Sequence, residues 1–145
     1  MIQRIQSLFL LLAAASFGAL FFIPFAMSDT VTTQFLADRI YDVTDHPVLA
    51  GLAGLGALLA MVSIFLFRNR PLQLKLGYVI IILAILLPVA AFLLFMNESA
   101  TLESSAEVMD QAGTYIPGLA ILFGFLSNYF IKKDERLVRS MDRLR

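Results

Sequence analysis

Cysteine and tryptophan are absent from this chain, and histidine occurs once, as His46. Without Cys there is no disulfide framework and no thiolate chemistry. A single imidazole rules out any site that needs two from one chain. Charge is missing where a transporter would need it. Four apolar runs, residues 7–27, 48–67, 74–96 and 114–131, hold no Lys, Arg, Asp, Glu or His beyond Lys75 at the edge of the third. A proton relay, an ion pathway or a voltage sensor needs ionisable groups at membrane depth. Their absence argues against an ion-coupled transporter built from this chain alone. No Ser-His-Asp set, carboxylate pair, Gly-rich phosphate loop or metal cluster appears. The basic residues are too few, and too close to the apolar runs, to suggest nucleic acid.

What is present is apolar bulk. Hydrophobic residues make up 59% of 145, and mean hydropathy is +0.82. A soluble domain of this length could not cover so much apolar surface, so the expected solvent is lipid. Each run is long enough, at about 1.5 Å per helical residue, to cross a hydrocarbon core of about 30 Å. Barrel strands would alternate apolar with polar over about ten residues. These runs do not alternate, so helices are expected.

The basic residues segregate by side. Arg4, then Arg68, Arg70 and Lys75, then Lys132, Lys133, Arg136, Arg139, Arg143 and Arg145 fall on one side of a four-span topology; only Arg39 falls on the other. The positive-inside rule makes the basic side cytoplasmic. Tyr78 and Tyr129 then sit near the inner interface and Tyr115 near the outer one, where amphipathic rings are favoured. Ala13-Ala14-Ala15 gives the first run a look of a signal peptide, but the apolar stretch continues well past those alanines, so retention as a helix is expected.

Several local features bear on function. The second helix carries small residues four apart: Ala50 and Gly54, Ala53 and Ala57, Gly56 and Ala60. Such spacing lets another backbone approach closely, either inside the bundle, the plainer reading, or at a homo-oligomer or partner-helix contact. Pro88 lies midway along the third helix and denies the Ala84 carbonyl its donor. Ser63, Tyr78, Ser127 and Asn128 gather in the cytoplasmic third, where solvation at the interface is the favoured expectation over a hydrogen-bonded cluster. Asp42, Asp45 and His46 fall within five residues, but their spacing matches no metal site. A helix start explains them more simply, with Asp45 or Thr44 as cap and Pro47 in the first turn. The two outer connections, of about seventeen to twenty residues, are expected to carry short interfacial helices, with Val31, Phe35 and Leu36 on one face in the first and Leu102, Ala106 and Met109 in the second; the first has enough β-branched residues to be extended instead. Residues 132–145 place Leu137, Val138, Met141 and Leu144 on an apolar stripe among Arg136, Arg139 and Arg143. This tail either extends the fourth helix or lies on the anionic inner leaflet. Those seven residues form the candidate partner or membrane-surface contact.

The two ends of the chain carry a resemblance. Met1-Ile2-Gln3-Arg4-Ile5-Gln6 at the start, with Lys133-Asp134-Glu135, Leu137-Val138-Arg139-Ser140 and Asp142-Arg143-Leu144-Arg145 at the close, resemble a membrane-protein family of Bacteroidetes, domain of unknown function 4293. Met141 stands where that family favours a small Ala. The resemblance implies the inner membrane of a Gram-negative cell and no particular activity.

The expected fold is an all-α, integral membrane four-helix transmembrane bundle, up-down-up-down, with both termini cytoplasmic and the whole of 1–145 in one domain. The expected role is a non-enzymatic accessory or scaffold protein without metal or cofactor. Its expected partners are the lipid bilayer, a membrane or cytoplasmic protein, or a second copy of the chain. A small oligomeric channel or carrier is the alternative, and a lipid-active intramembrane enzyme a more distant one.

Overall fold

The computed structural model describes residues 2–28, 38–99 and 108–142. Its helices are α1 (Ile2–Ala19), α2 (Pro47–Phe65), α3 (Arg70–Ser99) and α4 (Ile116–Asp142). Three short strands, β1 (Ala26–Ser28), β2 (Ile40–Tyr41) and β3 (Val108–Asp110), lie in the connections, with 3-10 turns at Val43–Asp45 and Ala112–Thr114. The helices pack as a ring: α1 on α2, α2 on α3, α3 on α4, and α4 back on α1. α2, α3 and α4 are long and apolar enough to cross a membrane; α1 offers a shorter apolar stretch, Ile5–Ala19.

Each helix buries one stripe at steps of three and four, the spacing that keeps residues on one helical face. The stripes run Gln6, Leu10, Ala13 and Phe17 on α1, and Leu49, Ala53, Gly56, Ala60 and Ser63 on α2. On α3 the stripe is Gln73, Gly77, Ile80, Ala84, Leu87 and Ala91, and on α4 Pro117, Ala120, Gly124, Ser127 and Ile131. Phe17 is fully buried, and a Cβ at Gly56 would stand 2.5 Å from its ring. Glycine there is what lets α1 and α2 close on an aromatic side chain. Phe9 stacks on Phe130 at 5.4 Å and on Phe123 at 6.4 Å, joining α1 to α4.

The helix limits differ from the hydropathy limits for local reasons. The first apolar run does not continue as helix to residue 27. The chain leaves α1 after Ala19, turns through residues 20–25 and enters β1. Pro24 accounts for the stop, since it lacks an N–H and disfavours the helical region for Ile23. α3 begins at Arg70 rather than 74, because Asn69 caps it, accepting from the Leu72 N–H at 3.3 Å, and Pro71 falls in the first turn, where it is tolerated. Its far end reaches Ser99, past the expected 96, and the helix continues through Pro88. The segment after 131 belongs to α4 without a break. α2 is capped by His46, whose Nδ1 accepts from the Val48 N–H at 3.2 Å, and not by Thr44 or Asp45. Asp45 serves the preceding turn instead, in a reciprocal capping box with Asp42.

The connections hold the other departure. β1 is the central strand of a three-stranded antiparallel sheet, ordered β2-β1-β3. Ala26 pairs with Tyr41 on one side and with Asp110 on the other. Met109, expected on a helical face, lies in β3 opposite Met27. Val31, Phe35, Leu36, Leu102 and Ala106 lie outside the described residues, as do Arg143 and Leu144.

Candidate functional site

The sheet closes one end of the ring, and it is built from backbone. Phe25 donates to the Tyr41 carbonyl at 2.8 Å, and its own carbonyl accepts from the Gln111 N–H at 2.8 Å and the Thr114 Oγ at 2.7 Å. The Gly113 N–H donates to the Pro24 carbonyl at 3.0 Å. A Cβ on Gly113 would collide with that carbonyl, so this approach of two main chains requires glycine. The first and second long connections thus meet on the segment that follows α1. Tyr41 fastens the sheet to α3. Its ring packs between Phe25 and Phe95, each 5.7 Å away by ring centre, and its hydroxyl donates to the Ala91 carbonyl at 2.9 Å.

Between sheet and helix lies a half-open cavity of about 130 Å³. Phe25, Ala26, Tyr41, Pro88, Ala91, Phe92 and Phe95 form its apolar wall, with Asp110 and Thr114 as polar lining. Small residues make the room, since Ala26 and Ala91 face it where larger side chains would fill it. An apolar cavity of on the order of 150 Å³ holds a benzene ring, so this one accepts a side chain or a few methylenes. Phe92 is 62% exposed, which opens the cavity on the outer flank of α3.

The opposite end of the ring is closed by side chains. Gln6, Ser63, Gln73, Ser127 and Asn128, from all four helices, are each at least 96% buried. Gln73 Nε2 donates to the Ser63 carbonyl at 3.0 Å, tying α3 to α2. The Asn128 amide fills the space over the bare Cα of Gly77, and Ile81 lies against Gly124 one turn further on, so α3 and α4 run in opposite directions. Six polar atoms in this layer have no hydrogen-bond partner in the structure: Gln6 Oε1, Ser63 Oγ, Gln73 Oε1, Ser127 Oγ and both amide atoms of Asn128. Left dry, each would cost about 1–3 kcal/mol. Six such atoms rival the whole stability of a domain, about 5–15 kcal/mol. Ser63, Ser127 and Asn128 are all buried, so the exposure to the interface that the sequence suggested is not what the structure shows for them. Tyr78, by contrast, is 44% exposed, with Lys132 Nζ 5.3 Å from its ring centre.

Below this layer the surface is basic. Arg70 pairs with Asp134 at 2.9 Å, which fastens the extension of α4 to the start of α3. Tyr129, Lys132, Lys133, Arg136 and Leu137 line a shallow groove beside it. Of the expected tail contact, Arg136 and Leu137 are exposed and Val138 is half-buried, while Arg139 and Met141 are described in backbone only. Of the small residues on α2, Ala53, Gly56 and Ala60 face the interior, Ala50 and Ala57 pack at the edge of the core, and Gly54 has open space above it.

Hydropathy could not find Gln6 and Gln73, because each lies outside an apolar run. The signal was in the spacing: both continue a buried stripe by one step. The sheet left almost no trace in the sequence, because two- and three-residue strands are too short to show alternation.

One family model, described as a domain of unknown function (DUF4293), matches residues 2–144. No curated protein and no solved structure matches the chain.

Proposed function

This chain belongs to the domain of unknown function 4293 family, and from that premise we propose that it is a non-enzymatic accessory or scaffold protein of the bacterial inner membrane. It crosses the bilayer four times, up-down-up-down, with both termini in the cytoplasm. Three helices are long and apolar enough for this by themselves. α1, with 18 residues, spans about 27 Å at 1.5 Å per residue, and modest thinning of the bilayer or the turn after Ala19 covers the remainder. Arg68, Arg70, Lys75, Lys132, Lys133 and Arg136 share the end away from the sheet, which the positive-inside rule assigns to the cytoplasm. The sheet is then the outer cap.

The observation that carries the role is the cavity on that cap. An aromatic-lined socket on an exposed helix flank, with no constellation of reactive groups around it, suits reception of an apolar side chain from a partner's membrane helix. Phe92 in its wall is exposed, and Leu93 and Met96 on the same stretch of α3 add exposed apolar surface. The basic groove on α4 offers a second contact, to the inner leaflet or a cytoplasmic protein. A path through a single copy is disfavoured, since Leu10, Phe17, Leu20 and Leu87 fill the ring.

A photo-crosslinking amino acid at Phe92 in native membranes tests the role. The expected result is one discrete protein adduct that is absent when the same group replaces Leu58, an equally exposed residue on α2. Equal or absent protein adducts at both positions would refute the docking role. Because the native chain has no Cys, single-cysteine labelling tests the topology: a Cys at Glu103 is expected to react from the outside, and reaction only from the cytoplasm would overturn the orientation.

A further inference from the structure

The polar layer at the inner end is more than a packing feature. Five buried polar side chains, one or two from each helix, lie at or near the basic ends of four otherwise apolar stripes, with Ile131 following Ser127 on α4. Six of their atoms are unpartnered within the protein. We infer that this layer is a hydrated site whose ligand is water, held inside the bundle and bonded to all four helices.

The chemistry of the atoms selects the ligand. Gln6 Oε1 and Gln73 Oε1 only accept, Asn128 Nδ2 only donates, and the Ser63 and Ser127 hydroxyls do both. A metal cation is served by acceptors alone; Asn128 Oδ1 would serve it, but Nδ2 would be left without a partner. An anion would leave the two Gln oxygens repelled. Among the described residues, no charged side chain lies in the layer to balance either ion. Water matches both kinds of partner, and buried water characteristically bonds about three otherwise unsatisfied groups. The site ends blindly. One turn further in on α1 and α2, and two turns on α3 and α4, the stripes reach Leu10, Ala60, Ile80 and Ala120, all fully buried. Water held here has no polar path on toward the sheet, so the site is an enclosed pocket and not a conduit.

The inference rests on the membrane reading only for calling this the inner end. Its test is water-edited solid-state NMR on the full chain reconstituted in phosphatidylethanolamine–phosphatidylglycerol vesicles. The Asn128 side-chain amide should receive magnetisation from water nearly as fast as that of exposed Asn69, and several-fold faster than the Leu87 backbone amide. Transfer at Asn128 as slow as at Leu87 would overturn the hydrated layer. A chain that fails to incorporate into vesicles would instead refute the membrane reading. Asn128→Leu gives a second readout. It removes a partner of the bound water and strands the remaining groups, so Tm should fall; a rise in Tm would show that the layer is dry and that the amide was only a burden.

Discussion

The two ends of this bundle are closed by opposite means. At the sheet end, main chain meets main chain: segments from three places in the sequence share a sheet, and the contacts are short and directional. At the basic end, side chains meet side chains: amides and hydroxyls from four helices share a layer, and an ion pair ties the surface outside it. Backbone contacts depend on where residues lie and tolerate no added atom. Side-chain contacts depend on which residues they are and can rearrange.

That contrast gives a ranked set of tests, each read as thermal unfolding of the purified protein in one detergent. Gly113→Ala should have the largest effect, toward the upper end of the roughly 1–3 kcal/mol typical of overpacking, because the Pro24 carbonyl it would strike belongs to a fixed main chain. Gly77→Ala adds the same methyl at the other end and should lose clearly less, since the Asn128 amide it meets can rotate away. Equal losses would break the comparison. Tyr41→Phe, which deletes the bond to the Ala91 carbonyl, should lose about 1 kcal/mol and loosen the cap without unfolding the helices, as seen by faster hydrogen exchange at Ala26 and Tyr41. Arg70→Gln should have the smallest effect. Its pair with Asp134 is partly exposed, and such pairs contribute about 0.2–1 kcal/mol. Its loss should shrink in high salt, whereas the Tyr41 loss should not.

The same contrast explains what the sequence made legible. α2, α3 and α4 could be read directly, because a long apolar run has only one way to satisfy its backbone in lipid. The end of α1 could not, since Phe21, Phe22 and Phe25 are as apolar as the helix before them while Pro24 redirects the chain. Hydropathy measures the surroundings a segment prefers, not its direction. The cap was hidden because its partners are far apart in sequence and its bonds are made by backbone, which every residue carries. His46 was legible as part of a helix start but not as the cap itself, a role that its Nδ1 takes from the better-known capping residues beside it. The polar layer was half visible. Ser63, Ser127 and Asn128 stood out inside apolar runs, while Gln6 and Gln73 looked like ordinary flanking residues until the stripes were extended to them.

The sheet order has a consequence for biosynthesis. β1, the middle strand, is made before either neighbour. It stands with both edges open until β2 follows, and with one edge open until β3 appears, about 80 residues later. An open strand edge invites wrong partners. During that interval the half-made protein carries an unfinished sheet edge, and the arrival of Val108–Asp110 is the event that withdraws it. The sheet thereby marks, at one spot, whether the second half of the chain has reached its place beside the first.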